Sequence, residues 1–122
     1  MYQVSVEGHF DAAHYLRDYG GKCENLHGHR FKVVVSLSAK KLNKIGLAYD
    51  FTELKRHLSE VLARFDHTSL NDVPPFDKIN PSSENIAAEI YGQLKVHFSE
   101  GVSLSSVEVW ESPESRVTYG PE

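Results

Sequence analysis

Four apolar residues at alternate positions, Phe31, Val33, Val35 and Leu37, set the strongest constraint on how this chain folds. Side chains two apart on an extended backbone share a face, so the stretch Phe31–Leu37 predicts a strand with one buried side. A strand of this kind needs a sheet, and the sheet needs a cover. Val4, Val6, His9 and Phe10 predict a partner strand over about Tyr2 to Ala12. Val107 with Val109, and Val117 with Tyr119, predict two more, joined by a turn at Ser112-Pro113-Glu114-Ser115.

The middle of the chain has a different period. Phe51, Leu54, Leu58, Val61, Leu62 and Phe65 recur at helical spacing behind Asp50, and Glu53 stands three residues after it, as in a capping box. The spacing predicts a helix over about Thr52 to Phe65. Ser82 and Ser83, after Pro81, are candidate N-caps for a second helix. Ile86, Ile90, Leu94 and Phe98 mark its apolar stripe, with Gly101 as its end. The expected fold is α+β: a four-stranded antiparallel sheet with two helices on one face, in the order strand, strand, helix, helix, strand, strand. Its edges call for partners, because open strand edges pair with other chains.

At 122 residues the chain fits one domain, residues 1–122. A net charge of −4 argues against a nucleic-acid partner, and no apolar run is long enough to span a membrane. The first residues lack the charged head and apolar centre of a signal peptide. Cys23 is the one cysteine, so no internal disulfide forms, and a reducing cytoplasmic setting is expected.

The chemistry gathers between the first two strands, in the long segment His14 to Arg30. Of seven histidines, His27 and His29 flank Gly28, so their imidazoles share a side on an extended backbone. Strand pairing brings His14 alongside. Three neutral imidazoles suit zinc, and three protein ligands leave a position open for chemistry. Cys23, four residues before His27, has three readings: a fourth ligand closing a structural site, a thiolate activated beside the metal, or an inert thiol. The dipeptide Asp66-His67 offers a carboxylate and an imidazole that converge on a third group. Glu111, at the end of the third strand, is placed to accept from two N–H donors, or else is an exposed strand-end charge. His9, His57 and His97 read as structural or exposed. Lys22, Arg17 and Arg30 are candidates for holding an anion by charge and proximity.

These landmarks together resemble a known family. They are Phe10-Asp11-Ala12-Ala13-His14, Cys23-Glu24-Asn25-Leu26-His27-Gly28-His29, Tyr49-Asp50-Phe51, Asp66-His67 with Leu70-Asn71-Asp72, Pro81-Ser82-Ser83-Glu84-Asn85, and Glu111. In this order, over nearly the whole chain, they resemble the 6-pyruvoyltetrahydropterin synthase / 6-carboxytetrahydropterin synthase family. The resemblance implies the tunnelling fold, in which trimers close a barrel and pair into a homohexamer with active sites between subunits. It implies Zn2+ on His14, His27 and His29. It implies catalysis by Cys23 with Asp66 and His67 of a neighbouring subunit, and pterin binding by Glu111, Ser82 and Ser83. Many members have Thr where Ser82 stands, and the hydroxyl survives the change. The implied substrate is the small molecule 7,8-dihydroneopterin triphosphate.

The short Cys-x-x-x-His-Gly-His spacing resembles the branch that makes 6-carboxy-5,6,7,8-tetrahydropterin for queuosine, releasing acetaldehyde and triphosphate. Two alternatives stay open within the family: a pyruvoyl product, or cleavage to 6-hydroxymethyl-7,8-dihydropterin through Glu24, which stands at the spacing of the folate branch's glutamate. Outside it stands a non-catalytic zinc-stabilised module, with Cys23 closing the shell.

Overall fold

The computed structural model describes residues 1–121. Strand β1 (Tyr2–His14) and strand β2 (His27–Ala39) form a long antiparallel pair, in register from Tyr2 opposite Ala39 to His14 opposite His27. Strand β4 (Val102–Ser112) lies antiparallel on the other side of β2, and β5 (Ser115–Tyr119) on the outside of β4. A two-residue strand, β3 (Thr68–Ser69), runs parallel to β1 at the opposite edge. The sheet order is β3-β1-β2-β4-β5. The sheet is therefore mixed and five-stranded, where the sequence predicts four antiparallel strands. Two residues are too few to print an alternating pattern, so β3 leaves no period to read.

Helices α1 (Phe51–Leu62) and α2 (Ser83–Leu94) cover one face. Leu54, Leu58 and Leu62 of α1 and Ile86, Ile90 and Leu94 of α2 meet Val6, Phe10, Phe31, Val33, Val35, Val107 and Val109 in a single core. Gly8 lets α1 lie close on β1, since a Cβ there would stand 3.0 Å from Leu62 and 3.2 Å from Leu58. Both helices start on side-chain caps. Asp50 accepts from the Thr52 N–H at 2.8 Å and Ser82 from the Asn85 N–H at 3.1 Å, each worth about 1 kcal/mol. The expected capping box does not form, because Asp50 accepts from Thr52 and not from Glu53, and the Glu53 carboxylate turns to Arg56. No helix among the described residues is long and apolar enough to cross a membrane.

Several boundaries differ from the sequence reading. Strands β1 and β2 extend toward each other to His14 and His27, because imidazoles, not apolar groups, continue the core-facing rows. Helix α1 ends at Leu62. Phe65 is buried from a tight turn, its N–H donating to Leu62, rather than from the helix. Helix α2 gives way at Leu94 to one 3-10 turn, Lys95–His97. Phe98 then packs from extended backbone against Tyr49 and His57.

His57 and His97 stack with ring centroids 4.1 Å apart. His57 is buried and its Nδ1 has no hydrogen-bond partner among the described residues. Burial, the neighbouring His97 and Arg56 hold its pKa below the ordinary 6.5, with Glu53 and Glu60 acting the other way. Protonation is therefore harder in the folded chain than in the unfolded one. This penalty is absent above the unfolded value, sets in as pH falls through about 6.5, and levels off below the folded value. Denaturant midpoints at pH 7.5 and 5.5 test it. The drop on acidification is expected to be smaller in His57→Gln than in the unsubstituted chain.

Candidate metal centre and catalytic site

The β1–β2 register builds the centre directly. His14 pairs with His27, and Ala12 with His29, so the three imidazoles stand on one face of two neighbouring strands. It is the core face. The buried row Phe10, Phe31, Val33 runs into His14 and His29 at the end of the sheet, and the His14 and His29 rings lie 5.3 and 5.6 Å from Phe31. The imidazole centroids are 4.6, 4.9 and 5.4 Å apart. From β4, Glu111 brings its carboxylate to 3.7 Å from His14 Nε2 and 3.4 Å from His29 Nε2. One ligand atom from each of these four residues lies within 4.8 Å of the others.

Backbone carbonyls fix the ring tautomers. His14 Nδ1 is 2.7 Å from the Pro81 carbonyl, and His27 Nδ1 is 2.6 Å from the Asn25 carbonyl. A carbonyl only accepts, so each Nδ1 carries the proton and each Nε2 keeps a lone pair facing the centre. Burial lowers the pKa of His14, outweighing the Pro81 carbonyl and the Glu111 charge, which favour protonation. The Nε2 atoms of His14 and His29 are buried with no hydrogen-bond partner among the described residues. An unmet buried acceptor costs about 1–3 kcal/mol, and the His14 Nε2, whose tautomer the Pro81 carbonyl fixes, is one that faces a carboxylate. A divalent cation satisfies the imidazole nitrogens, and the Glu111 charge beside them favours it, so the donor set fits a metal.

Beside the centre is a cavity of about 90 Å³ lined by His14, Cys23, His27, Ser82, Ser83 and Glu111, with Leu16 and Glu84. Cys23 is half-buried in a 3-10 turn, Lys22–Glu24. Its thiol is not among the atoms within 4.8 Å of one another, which separates it from the ligand cluster. Ser82 caps α2, and Ser83 Oγ donates to Glu111 Oε2 at 3.4 Å. Glu24 is exposed and does not line the cavity. Its carboxylate accepts from the Gly20 N–H at 2.6 Å.

The structure does not bring Asp66 and His67 to this cavity within one chain. They gather with Asp11, whose side chain points to the other face of the sheet from Ala12. Asp66 Oδ1 accepts from the Asp11 N–H at 2.9 Å, and Oδ2 lies 3.0 Å from His67 Nδ1. The sequence predicts that both converge on a third group, whereas here they pair with each other. His67 adopts φ of 58°, which folds its ring back onto the preceding carboxylate. The Asp11 N–H and the His67 ring hold the Asp66 carboxyl below the usual carboxylate range.

Arg17 is not free for an anion. Its guanidinium donates to the carbonyls of Phe76, Ile79 and Asn71. Arg30 sits 3.8 Å from Asp11. Sequence reasoning passed over Asn80, which pairs with the Arg17 backbone. A lone Asn in a loop carries no pattern that would reveal it.

A family model described as 6-pyruvoyl tetrahydropterin synthase matches residues 3–122. The chain belongs to the 6-pyruvoyl tetrahydropterin synthase family. A Synechocystis protein named 6-carboxy-5,6,7,8-tetrahydropterin synthase is 37% identical, over 98% of this chain and 93% of that one. The Haemophilus influenzae protein of the same name is 33% identical over 98% and 99%. Among solved structures, Caenorhabditis elegans 6-pyruvoyl tetrahydropterin synthase superposes with a TM-score of 0.86 at 32% identity, covering 100% of this chain and 98% of that one.

Calorimetric titration with Zn2+ as the probe is expected to give one site per chain, weakened at least tenfold by His29→Ala. Protons compete with the metal for the imidazoles, so affinity falls as pH drops, and the burial of His14 moves its share of that competition to lower pH.

Proposed function

We propose that the chain is a zinc-dependent lyase that converts 7,8-dihydroneopterin triphosphate into 6-carboxy-5,6,7,8-tetrahydropterin, with release of acetaldehyde and triphosphate. The observation that carries this reading is the cluster of His14, His27 and His29 with Glu111, beside a cavity that His14, His27, Glu111 and Cys23 line. Its support from likeness is the name shared by the Synechocystis and Haemophilus relatives.

His14, His27 and His29 hold the zinc. Bound there, zinc supplies a Lewis acid that makes the substrate's side-chain hydroxyls more acidic. Cys23 takes and returns the proton at the side-chain carbons. Glu111 accepts from the aminopyrimidinone edge of the pterin, with Ser82 and Ser83 beside it. His67, held by Asp66, serves as the second proton carrier. It does so from a neighbouring subunit, since in its own chain it lies on the other face of the sheet. The outer edges of β3 and β5 are where further strands add, and a homohexamer of two barrel-forming trimers is the assembly we propose. The enzyme works in the cytoplasm.

Two other readings have less support. A closed Cys-His₃ module needs the Cys23 thiol within the ligand cluster, and it lies outside. Cleavage to 6-hydroxymethyl-7,8-dihydropterin through Glu24 needs that carboxylate at the cavity, and it is bonded to Gly20.

Incubating zinc-loaded protein with 7,8-dihydroneopterin triphosphate, with products identified by mass spectrometry, tests the proposal. Carboxytetrahydropterin and acetaldehyde are expected. Cys23→Ala is expected to lose about 10²–10⁴ in turnover with zinc retained. Glu24→Ala is expected to stay within a few-fold. A pyruvoyl product, or equal loss in both variants, contradicts it.

A further inference from the structure

Beyond His14, strand β1 loses its sheet partner but not its strand pairing. The backbone of Tyr15 and Arg17 is met by amide side chains. Asn71 Oδ1 accepts from the Tyr15 N–H at 3.0 Å, and its Nδ2 donates to the Tyr15 carbonyl at 3.1 Å. Asn80 repeats the arrangement on Arg17, at 2.8 and 3.0 Å. Each side-chain amide thus does what the peptide group of a neighbouring strand would do. The residue between them uses the other edge, where the Leu16 N–H donates to the Cys23 carbonyl at 2.6 Å. The alternation is that of a strand, with one edge on two asparagines and the other on the turn that carries Cys23.

The two asparagines are themselves anchored. Asn71 is 5% exposed, with both amide atoms committed. The Asn80 carbonyl accepts from Asn85 Nδ2 at 2.8 Å in the first turn of α2. The next residue, Pro81, offers the carbonyl that orients His14. The Arg17 guanidinium ties the same strip to the carbonyls of Phe76 and Ile79. One short run of backbone, His14 to Arg17, thereby fixes both a metal-facing imidazole and the turn of Cys23 on a single support.

We infer that Asn71 and Asn80 are positioning residues that set the distance between the Cys23 thiol and the three-imidazole centre. The inference rests on the reading that Cys23 reacts. Neither amide lines the cavity. Their effect passes through the Tyr15-Leu16-Arg17 backbone to Cys23, and it is felt in turnover more than in binding. Misplacing a reacting group by about 1 Å costs on the order of 10²-fold in rate.

The test uses the full zinc-loaded chain with Asn71→Asp, Asn80→Asp and Asn71→Leu. Each Asp variant keeps an acceptor for the N–H and loses the donor to the carbonyl, and the Leu variant loses both. The single cysteine makes alkylation by iodoacetamide a report on Cys23 alone. In Asn71→Asp, kcat is expected to fall about 10-fold and the alkylation rate to change severalfold, with zinc content and KM nearly unchanged. Asn71→Leu is expected to show a larger fall of the same kind. If Asn71→Leu does not fold, the two Asp variants decide the matter. A kcat that falls only in step with zinc content or folded fraction, or an unchanged alkylation rate, overturns the inference. A fully active Cys23→Ala overturns the catalytic reading instead, and alkylation of the Asn variants still decides the positioning.

Discussion

The rest of the molecule depends on the antiparallel pairing of β1 with β2. A one-residue slip in that pairing would send every side chain of one strand to the wrong face. The same register that sets Phe10 against Phe31 in the core sets His14 against His27 and His29 against Ala12. Core packing therefore specifies the metal-facing geometry. The apolar rows hold the register, and the imidazoles at the end of those rows inherit it. This gives a rigid two-strand platform for groups that must converge to within a few ångströms, more exact than a loop alone would supply.

The imidazole centre is held in a costly setting. Burial disfavours a proton on His14, the Nε2 atoms of His14 and His29 have no hydrogen-bond partner among the described residues, and the Glu111 carboxylate stands 3.7 and 3.4 Å from them. Removing apolar neighbours would relieve that cost, but the core needs them. A cation relieves it directly, and carbonyls behind His14 and His27 have already selected the tautomers that accept one. Cys23 is treated differently. It hangs on a turn whose link to the platform runs through Leu16, so its distance from the imidazoles is set by backbone pairing and not by coordination.

Much of this is legible in the sequence, for physical reasons. The alternation at Phe31–Leu37 and the stripes at Leu54–Leu62 and Ile86–Leu94 follow from one buried face per element, and they predict the α+β layering. His27-Gly28-His29 announces itself because spacing by two on a strand means a shared face. What the sequence hides is whatever rests on geometry without a period. The two-residue strand β3 is too short to alternate. Asp66 and His67 pair with each other only because His67 takes a left-handed conformation. Arg17 looks like an anion ligand by charge, yet three carbonyls absorb it; Asn71 stands in the family-like run Leu70-Asn71-Asp72 with nothing there to show what it bonds, and Asn80 carries no signal beyond being asparagine. The separation of Glu24 from the cavity is likewise a property of the folded loop.

An open three-imidazole metal site with the Cys23 thiol beside it and off the metal has a spectroscopic signature, read from the visible and near-ultraviolet spectrum of the cobalt-substituted resting protein. Ligand-field bands of an imidazole-bound cobalt ion are expected, with no strong thiolate charge-transfer band and no change in those bands in Cys23→Ala. A strong charge-transfer band that vanishes in Cys23→Ala would put sulfur on the metal and contradict it.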